Sequence, residues 1–388
     1  MKHFFKKYTL LAMLVVLGRM VFGQEVIQNF GDLKIHDEGK IGFHQNLINT
    51  GDFSDNLGLA GFFNENSLSI SGTQEPIFFD LEVMVENGLF LDTGVGVVNN
   101  LNFILGDVRT PRTDTSIELN FMGEAFYTGE SDFSKVDGTV VFSNKKSFLF
   151  PIGDAEDLRP LLFEADEVVS RAHAAYYFES PEFSPSLSSS FPTTEKEDGL
   201  EVSNLEFWHI TALAEASVTI SWNSRSDMAS VTNDVLSIIV VGWNKETNQW
   251  ESLGAQAVSG SLDEGFVKSF SFTSNDYEIV TLGSTSSIKK EPEETSFANY
   301  LISPDGDGAN DVLIINNIFE NNRLQIYNRR GVLVFDKLDY SDEFNGFSTN
   351  PITVGQRKRL PVGVYYYIVT DRDTNEKFQG FLYLTKKK

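Results

Sequence analysis

The residues whose types and spacing could do chemistry lie close together near the C-terminus, in the stretch Ser303–Asp311 (SPDGDGAND). Asp305, Asp307 and Asp311 supply three carboxylates. Asn310 adds an amide oxygen, and two glycines allow a tight loop. Hard oxygen ligands at alternating positions are what calcium binds. The same residues suit a loop of Asx turns, whose carboxylates accept backbone N–H groups at the start of a strand, so the stretch predicts either a calcium site or a structural turn.

The chain contains few residues that could perform nucleophilic or imidazole chemistry. There is no cysteine, which excludes disulfides, Cys-ligated zinc, iron–sulfur clusters and thiol nucleophiles. The sequence contains no G-x-S-x-G, H-E-x-x-H or glycine-rich phosphate-loop motif. We predict structural or surface roles for the histidines beyond the first 23 residues, which are His36, His44, His173 and His209. The chain is therefore predicted not to be an enzyme.

Tryptophans support an alternative hypothesis. Trp222, Trp243 and Trp250 could serve as platforms for a sugar chain, and the many carboxylates could supply a hydrolytic pair. Packing in a core or at a strand edge is the competing interpretation of the same rings. The alternative is therefore a secreted carbohydrate-binding or carbohydrate-active protein with surface glycans as partners.

Charge is distributed unevenly along the 388 residues, whose formal net charge is −24. Residues 1–23 hold four basic residues and no acidic one, which leaves −28 for the remainder. Residues 297–388 hold twelve Lys/Arg and eleven Asp/Glu, a net charge of +1, so residues 24–296 carry −29. A body this acidic repels phosphates, and we predict no nucleic-acid partner.

The first 23 residues predict an export signal. A basic start with three lysines is followed by the apolar run Tyr8–Leu17 and by a small residue, Gly23. This order is typical of a secretory signal peptide. The apolar run is shorter than the roughly 20 residues that a membrane-spanning helix needs. We predict residues 1–23 to be a signal peptide and the mature chain to begin near Gln24.

The elements that must position these residues are strands. Short alternating runs such as Glu82–Val85 and Val218–Trp222, separated by Gly, Asn and Asp, predict an all-β protein. Residues 24–149 are expected to form a β-rich domain, either a solenoid or a sandwich, with the solenoid favoured despite the lack of a fixed-period repeat. Residues 150–283 are predicted to form a β-sandwich, and residues 284–296 (STSSIKKEPEETS) a polar linker.

Four motifs follow one another near the C-terminus. They occupy residues 302–311 (ISPDGDGAND), 324–331 (LQIYNRRG), 340–346 (YSDEFNG) and 360–367 (LPVGVYYY). In order and spacing this series resembles the gliding-motility-associated C-terminal domain, the type B sorting signal of the type IX secretion system in Bacteroidetes. Arg330 and Phe344 stand where the family pattern has tryptophan, and Asn345 replaces its aspartate. The residues that carry the resemblance are Pro304, Asp305, Gly306, Asp307, Gly308, Asn310, Asp311, Tyr327, Asn328, Arg329, Gly331, Gly346, Pro361, Gly363 and Tyr365.

The residue pattern of 297–388 independently predicts a small Ig-like β-sandwich. Tyr365 and Tyr367 alternate with Tyr366, so one face of their strand should pack inward while the other can meet a partner. The predicted strands are Val312–Asn316, Arg323–Asn328, Val332–Asp336, Val364–Thr370 and Phe378–Thr385.

The resemblance also implies a route and partners. The signal peptide would take the chain to the periplasm, and the outer-membrane translocon would then recognise residues 297–388, so that the protein ends on the cell surface or outside. A PorP/SprF-like outer-membrane protein is the implied docking partner. We therefore expect a non-enzymatic surface or secreted protein that serves adhesion, gliding motility or surface assembly, with calcium as the only candidate cofactor.

Overall fold

The computed structural model describes residues 26–114, 116–285, 300–304, 306, 310–315, 318–349, 359–375 and 377–385. The predicted signal peptide and residues 286–296 of the predicted linker lie outside these ranges. Within them the regular structure is β-strand apart from four short 3-10 helices, which confirms the all-β prediction. None of the helices in these ranges is long and apolar enough to cross a membrane.

The N-terminal part of the chain, residues 26–153, is a β-solenoid. Its short strands alternate between two parallel sheets as the chain advances, and one of these sheets has the order β1-β3-β5-β7-β9-β12-β14. The strands are β1 (Val26–Asn29), β2 (Lys40–Phe43), β3 (Asn46–Asn49), β4 (Leu59–Asn64), β5 (Leu68–Gly72), β6 (Ile77–Val85), β7 (Leu89–Leu91), β8 (Val95–Leu105), β9 (Val108–Arg109), β10 (Leu119–Met122), β11 (Phe126–Thr128), β12 (Val136–Asp137), β13 (Val140–Phe150) and β14 (Ile152–Gly153).

Coils of unequal length explain why no fixed repeat is visible in the sequence. Val26 in β1 pairs with Asn46 in β3. Val108 in β9 pairs with Val136 in β12, so the chain takes a longer path around this later coil before it returns to the same sheet. The additional residues lie in turns, in the extra strand β11 and in bulges of the β6–β8 pair, so the sequence period drifts. Of the two architectures that the sequence left open for this part, the structure has the solenoid.

Phenylalanines from successive coils stack inside the solenoid. Phe43 in β2 lies directly beside Phe62 in β4, with ring centroids 4.8 Å apart and an interplanar angle of 15°. Phe78 in β6 meets Phe62 edge-on at 6.1 Å. Phe43 and Phe62 share a register position, whereas Phe78 joins them from outside the register of the next strand pair. Together the three inward rings form an apolar cluster that links successive coils.

A buried amide ties three coils together at a turn. Asn56 is 5% exposed, and its Oδ1 accepts the backbone N–H of Ile35 at 2.8 Å. Its Nδ2 donates to the carbonyl oxygens of Phe53 at 3.0 Å and Ile77 at 2.8 Å. One side chain thus satisfies backbone groups that the parallel ladders leave unpaired where the chain turns.

The second part of the chain contains longer antiparallel strands. They are β15 (Leu161–Tyr177), β16 (Leu200–Val202), β17 (Phe207–Ala212), β18 (Glu215–Trp222), β19 (Ile238–Asn244), β20 (Gln249–Gly254), β21 (Ala257–Gly260), β22 (Gly265–Lys268), β23 (Phe272–Thr273) and β24 (Tyr277–Thr285). The 3-10 helices are Ser224–Ser226, Met228–Ser230, Val235–Ser237 and Ser274–Asp276.

Strand β15 joins the solenoid to the layers that follow. One edge of β15 pairs antiparallel with β13, the last long strand of the solenoid. Its other edge pairs with β18 near Leu161 and with β17 near Tyr177. β17 continues into the layer β24-β19-β20, and β18 into the layer β22-β21. The sheet and one apolar core therefore run without interruption across the predicted boundary between residues 149 and 150.

The C-terminal part forms a separate five-stranded sheet with the order β25-β29-β28-β26-β27. β25 is parallel to β29, and the other neighbours are antiparallel. Its core contains Leu313 and Ile315. Both lie in the predicted strand Val312–Asn316, whose described residues, 312–315, do not pair with another strand. The strands are β25 (Tyr300–Ile302), β26 (Asn322–Asn328), β27 (Leu333–Leu338), β28 (Gly363–Asp371) and β29 (Lys377–Leu384).

Candidate functional site

The C-terminal sheet has two apolar faces. On one face, Ile326 of β26 and Tyr365 and Tyr367 of β28 pack into the domain's own core. On the other face, which we call the outer face, lie Tyr327, Leu333, Tyr366 and Ile368. The alternation of Tyr365, Tyr366 and Tyr367 thus produces the two faces that the sequence predicted.

Residues of the body cover the outer face. Phe266 of β22 is fully buried, and its ring centroid lies 4.9 Å from that of Tyr327 and 5.7 Å from that of Tyr366. Ala257 of β21 completes the apolar cluster. The surface that the sequence expected to meet a partner therefore meets the chain's own body.

An ion pair borders this cluster. The Arg330 guanidinium bonds the carboxylate of Glu130, which lies in the solenoid, and its Nη2 also donates to the Glu130 carbonyl oxygen at 3.0 Å. Both side chains are mostly buried, with 20% and 17% of their surface exposed. Burial lowers the pKa of the Arg330 guanidinium because the charged form loses hydration. A guanidinium held in this way needs the Glu130 carboxylate to offset that loss.

A tight turn places Arg330 against the body. Asn328 Oδ1 accepts the backbone N–H groups of Arg330 at 2.9 Å and Val332 at 3.0 Å. Gly331 has φ +75°, and a Cβ added there would lie 2.5 Å from Thr219 Cγ2 of β18. Glycine is therefore required both by the left-handed backbone and by the close approach of the body.

We call these residues together the body–domain contact. It consists of the outer face, Phe266, Ala257, the Glu130–Arg330 pair and the approach of Gly331 to Thr219. Lys377 Nζ adds a hydrogen bond to the carbonyl oxygen of Gln256. Neither Phe266 nor Glu130 carries a motif or a spacing that marks it in the sequence, and only the outward position of Tyr366 indicated that a partner surface existed.

A cleft of about 1280 Å³ opens beside the body–domain contact. Arg329, a motif residue with an exposed side chain, lies on its wall, and Glu130 and Arg330 line it as well. The cleft therefore juxtaposes basic and aromatic groups of the C-terminal domain with the solenoid. Its other lining residues include Phe126, Lys146, Val168, Arg359 and Tyr366.

The first motif of the C-terminal domain is described in part. Asp305, Asp307 and Gly308 lie outside the described residues, so the calcium site predicted on Asp305, Asp307 and Asp311 stays a prediction. Asp311 Oδ1 accepts the backbone N–H of Gly306 at 2.7 Å, and the carbonyl oxygen of Asn310 accepts the N–H of Ser303 at 2.8 Å. Among the residues that the structure describes, no group of three acidic or imidazole side chains is arranged to hold a metal ion.

The remaining motif residues come together around the domain core. Gly346 has φ +80° and lies against Pro304, whose Cγ would be 3.2 Å from an added Cβ. The carbonyl oxygen of Pro304 accepts a hydrogen bond from Arg359. Tyr365 donates its hydroxyl hydrogen to the Pro361 carbonyl oxygen at 2.9 Å, just before Gly363 begins β28. These motif residues therefore hold turns and strand ends in place.

The tryptophans that supported the carbohydrate hypothesis are buried. Trp222, Trp243 and Trp250 are 2%, 7% and 0% exposed. Trp243 and Trp250 pack edge-to-face at 5.7 Å in a core of the second part. None of the three can offer its ring to a sugar chain, so the alternative hypothesis loses these platforms.

His173 of β15 and His209 of β17 lie on adjacent strands, each beside a carboxylate. His173 Nδ1 lies 3.3 Å from Glu118, and His209 Nε2 lies 3.8 Å from Glu278. Burial lowers the pKa of both imidazoles. The side chains of His36 and His44 are exposed, in line with the predicted surface roles.

The fold and the separate C-terminal sheet define a class: a β-solenoid protein that carries a discrete C-terminal β domain on its body. That domain belongs to the CHU_C family of type IX secretion signal domains, whose family model matches residues 295–384. No curated protein and no solved structure is significantly similar to the chain. The protein is therefore exported out of the cell by the type IX secretion system, as a secreted or cell-surface protein.

Proposed function

We propose that the protein is a non-enzymatic surface component in which the C-terminal domain delivers an acidic β body for adhesion, gliding motility or surface assembly. The observation that supports this most is the type IX secretion signal domain on residues 295–384, joined to a β-rich body, residues 24–296, with a net charge of −29. A solenoid presents broad, regular sheet faces, and such faces suit extended contacts with other surface molecules. The charge keeps the delivered body soluble and separates it from other acidic surfaces.

The route and the partners belong to the same proposal. The chain crosses the inner membrane on its signal peptide and reaches the translocon from the periplasm. A PorP/SprF-like outer-membrane protein then holds the C-terminal domain at the surface. Residues 297–388 carry a net charge of +1, so anionic membrane surfaces do not repel this domain as they would repel the acidic body. This difference in charge favours docking through the C-terminal domain.

The partner is checked by co-purification. We expect an outer-membrane barrel protein to co-purify with the tagged full chain after extraction of intact cells in a mild detergent. The matched control is the chain with Gly380→Leu, because a Cβ added at that position would lie 2.7 Å from the Tyr367 ring, and the larger side chain would distort β28 and β29. Recovery of the full chain without any outer-membrane protein would argue against the partner.

The surface role is checked in cells that lack the chain. We expect such cells to attach to a solid surface at less than about half the level of their parent, or to glide more slowly, and the full chain supplied in trans to restore the parental value. Attachment and gliding at parental levels in the deletion strain would refute the proposed role. Binding of the purified chain to a panel of glycans, with attachment unchanged, would support the carbohydrate-binding alternative instead.

A further inference from the structure

The body covers residues of two of the four motif runs of the C-terminal domain. Tyr327 and Gly331 belong to the motif run 324–331, and Tyr366 belongs to the run 360–367. All three lie in the body–domain contact, where Phe266 and Thr219 face them. A protein that recognised the domain through this face could not reach it while the contact is formed.

The outer face requires a covering group. Tyr327, Tyr366 and Ile368 are 4%, 5% and 2% exposed, although they point away from the domain's own core. Without the body, these residues and Leu333 would form an apolar patch beside the basic side chains of the turn. Contiguous apolar patches of this kind are typical of interaction surfaces.

The ion pair makes the covering specific to this chain. Arg330, in a turn of the C-terminal domain, finds its carboxylate partner, Glu130, in the chain's own solenoid. Charged pairs at a partly buried contact select their partner, because a wrong partner leaves a desolvated charge unpaired. The arginine of this turn and the carboxylate of the body thus form a matched pair.

The contact is small enough to open. Among the described residues it consists of two apolar side chains of the body on the outer face, the close approach of Gly331 to Thr219, one ion pair and the hydrogen bond from Lys377. Fourteen residues, 286–299, separate the two parts in the sequence, so the contact forms within one chain and does not depend on an encounter between two molecules. A weak contact therefore stays formed within the chain, while a partner that binds the same face more tightly displaces it.

We propose that the body–domain contact is a latch that shields the outer face and must open before the export machinery can bind it. The machinery component that opens it would present an apolar side chain next to a carboxylate, as Phe266 and Glu130 do. This inference rests on the proposed export route, because it assigns to the outer face the recognition step of that route. Before that step the latch keeps the apolar face of the domain covered.

The absence of cysteine allows the latch to be locked cleanly. A Cβ added at Gly331 lies 2.5 Å from Thr219 Cγ2, so the two Cβ atoms in the variant Thr219→Cys/Gly331→Cys would lie within about 4 Å of each other, which suits a disulfide. We expect the oxidised variant to reach the cell surface at less than about a tenth of the level of either single-cysteine variant. The single variants control for the strain of a side chain at a left-handed position.

Each result of the locking experiment decides the question. A disulfide that forms while display equals that of the single variants would overturn the latch. Failure of the purified double variant to form the disulfide under oxidant would overturn it as well, because residues 219 and 331 would not be neighbours. The proposed export function fails separately, since it would be contradicted by normal display of a chain that lacks residues 297–388.

Reversing the charge of Arg330 tests whether the body–domain contact opens, without the use of a disulfide. In the purified chain with Thr219→Cys as a thiol reporter, we expect Arg330→Glu to raise the labelling rate at least about tenfold, because Glu130 would then face a like charge. Glu130→Arg combined with Arg330→Glu should restore the slow rate. Equal labelling rates in all three backgrounds would show that the ion pair does not hold the contact, and the latch would be abandoned.

Discussion

Replacing Glu206 by leucine is expected to lower the free energy of unfolding of the body by about 3–5 kcal/mol, because it leaves a buried arginine without its partner. The side chains of Arg159 and Glu206 are only 2% and 1% exposed, and Arg159 Nη2 lies 2.7 Å from Glu206 Oε2. Tyr176 donates its hydroxyl hydrogen to the same carboxylate oxygen at 2.7 Å. Burial raises the pKa of Tyr176, and the carboxylate raises it further, so the hydroxyl stays a donor.

The position of this pair explains why its loss should matter to the whole body. Arg159 precedes β15, where the solenoid passes into the second part, and its Nη2 also donates to the carbonyl oxygen of Ser221 in β18 at 2.6 Å. Its guanidinium lies 5.4 Å from the ring centroid of Trp208 in β17. One side chain therefore ties together the strands that diverge from the two ends of β15.

Urea unfolding followed by tryptophan fluorescence measures the effect, because Trp208 Nε1 donates to the Arg159 carbonyl oxygen and reports on this site. The double variant Arg159→Met/Glu206→Leu should recover most of the loss, since both charges are then removed. Glu201→Gln, which breaks the exposed pair with Lys196, is the matched control and should cost less than about 1 kcal/mol. A Glu206→Leu variant as stable as that control would contradict the prediction.

Removal of residues 297–388 is expected to abolish surface display and leave the body in the periplasm. The physical reason is that the domain matching the type IX secretion signal model is then absent, while the solenoid and its core, which share no strand with it, can still fold. Cell fractionation with an antibody to the body measures the outcome. We expect the displayed fraction to fall at least about tenfold relative to the full chain.

The truncation needs a control for exposed apolar surface. Deleting the domain uncovers Phe266 and Ala257, which are buried in the full chain, and uncovered aromatic side chains promote aggregation. A second truncated chain that also carries Phe266→Ser separates loss of the export signal from aggregation, because it lacks the exposed aromatic side chain as well as the domain. Surface display of either truncated chain at the level of the full chain would count against the role of the domain.

The sequence predicted that the body is all-β, but not that its sheet and apolar core run continuously from the solenoid into the second part. The alternation of Glu82–Val85 and Val218–Trp222 is sufficient to predict strands, because a half-buried strand repeats every two residues. It does not distinguish a solenoid from a sandwich, since both bury alternate residues, and the unequal lengths of the coils hide the repeat. The junction at β15 was missed because this single long strand pairs with three different strands, β13, β17 and β18.

The C-terminal domain was predicted more closely. The predicted strand Arg323–Asn328 corresponds to β26 (Asn322–Asn328), and Val364–Thr370 corresponds to β28 (Gly363–Asp371). Glycines with positive φ at the turns, such as Gly331, delimit these strands in the sequence as well as in the structure. For Val312–Asn316 the apolar alternation is present, and Leu313 and Ile315 enter the core, but the described residues make no strand ladder. Alternation predicts burial, whereas a ladder also needs a neighbouring strand.

The body–domain contact lay beyond sequence reasoning. Glu130 and Arg330 are 200 residues apart, and no local pattern connects a carboxylate in the solenoid with an arginine in a turn of the C-terminal domain. The departure of Arg330 from the family's tryptophan was visible, and the structure gives it a physical explanation, because the guanidinium reaches a carboxylate of the body. Phe344, the other departure from tryptophan, is fully buried and packs against Phe335 at 5.0 Å.

The most direct test of the central claim, that the C-terminal domain exports this body through the type IX secretion system, is protease treatment of intact cells that express the full chain. In cells with a working translocon we expect external protease to digest the body, or the body to be found in the medium. In otherwise identical cells without the translocon, the body should stay inside and resist the protease. Digestion to the same extent in both strains would contradict the account.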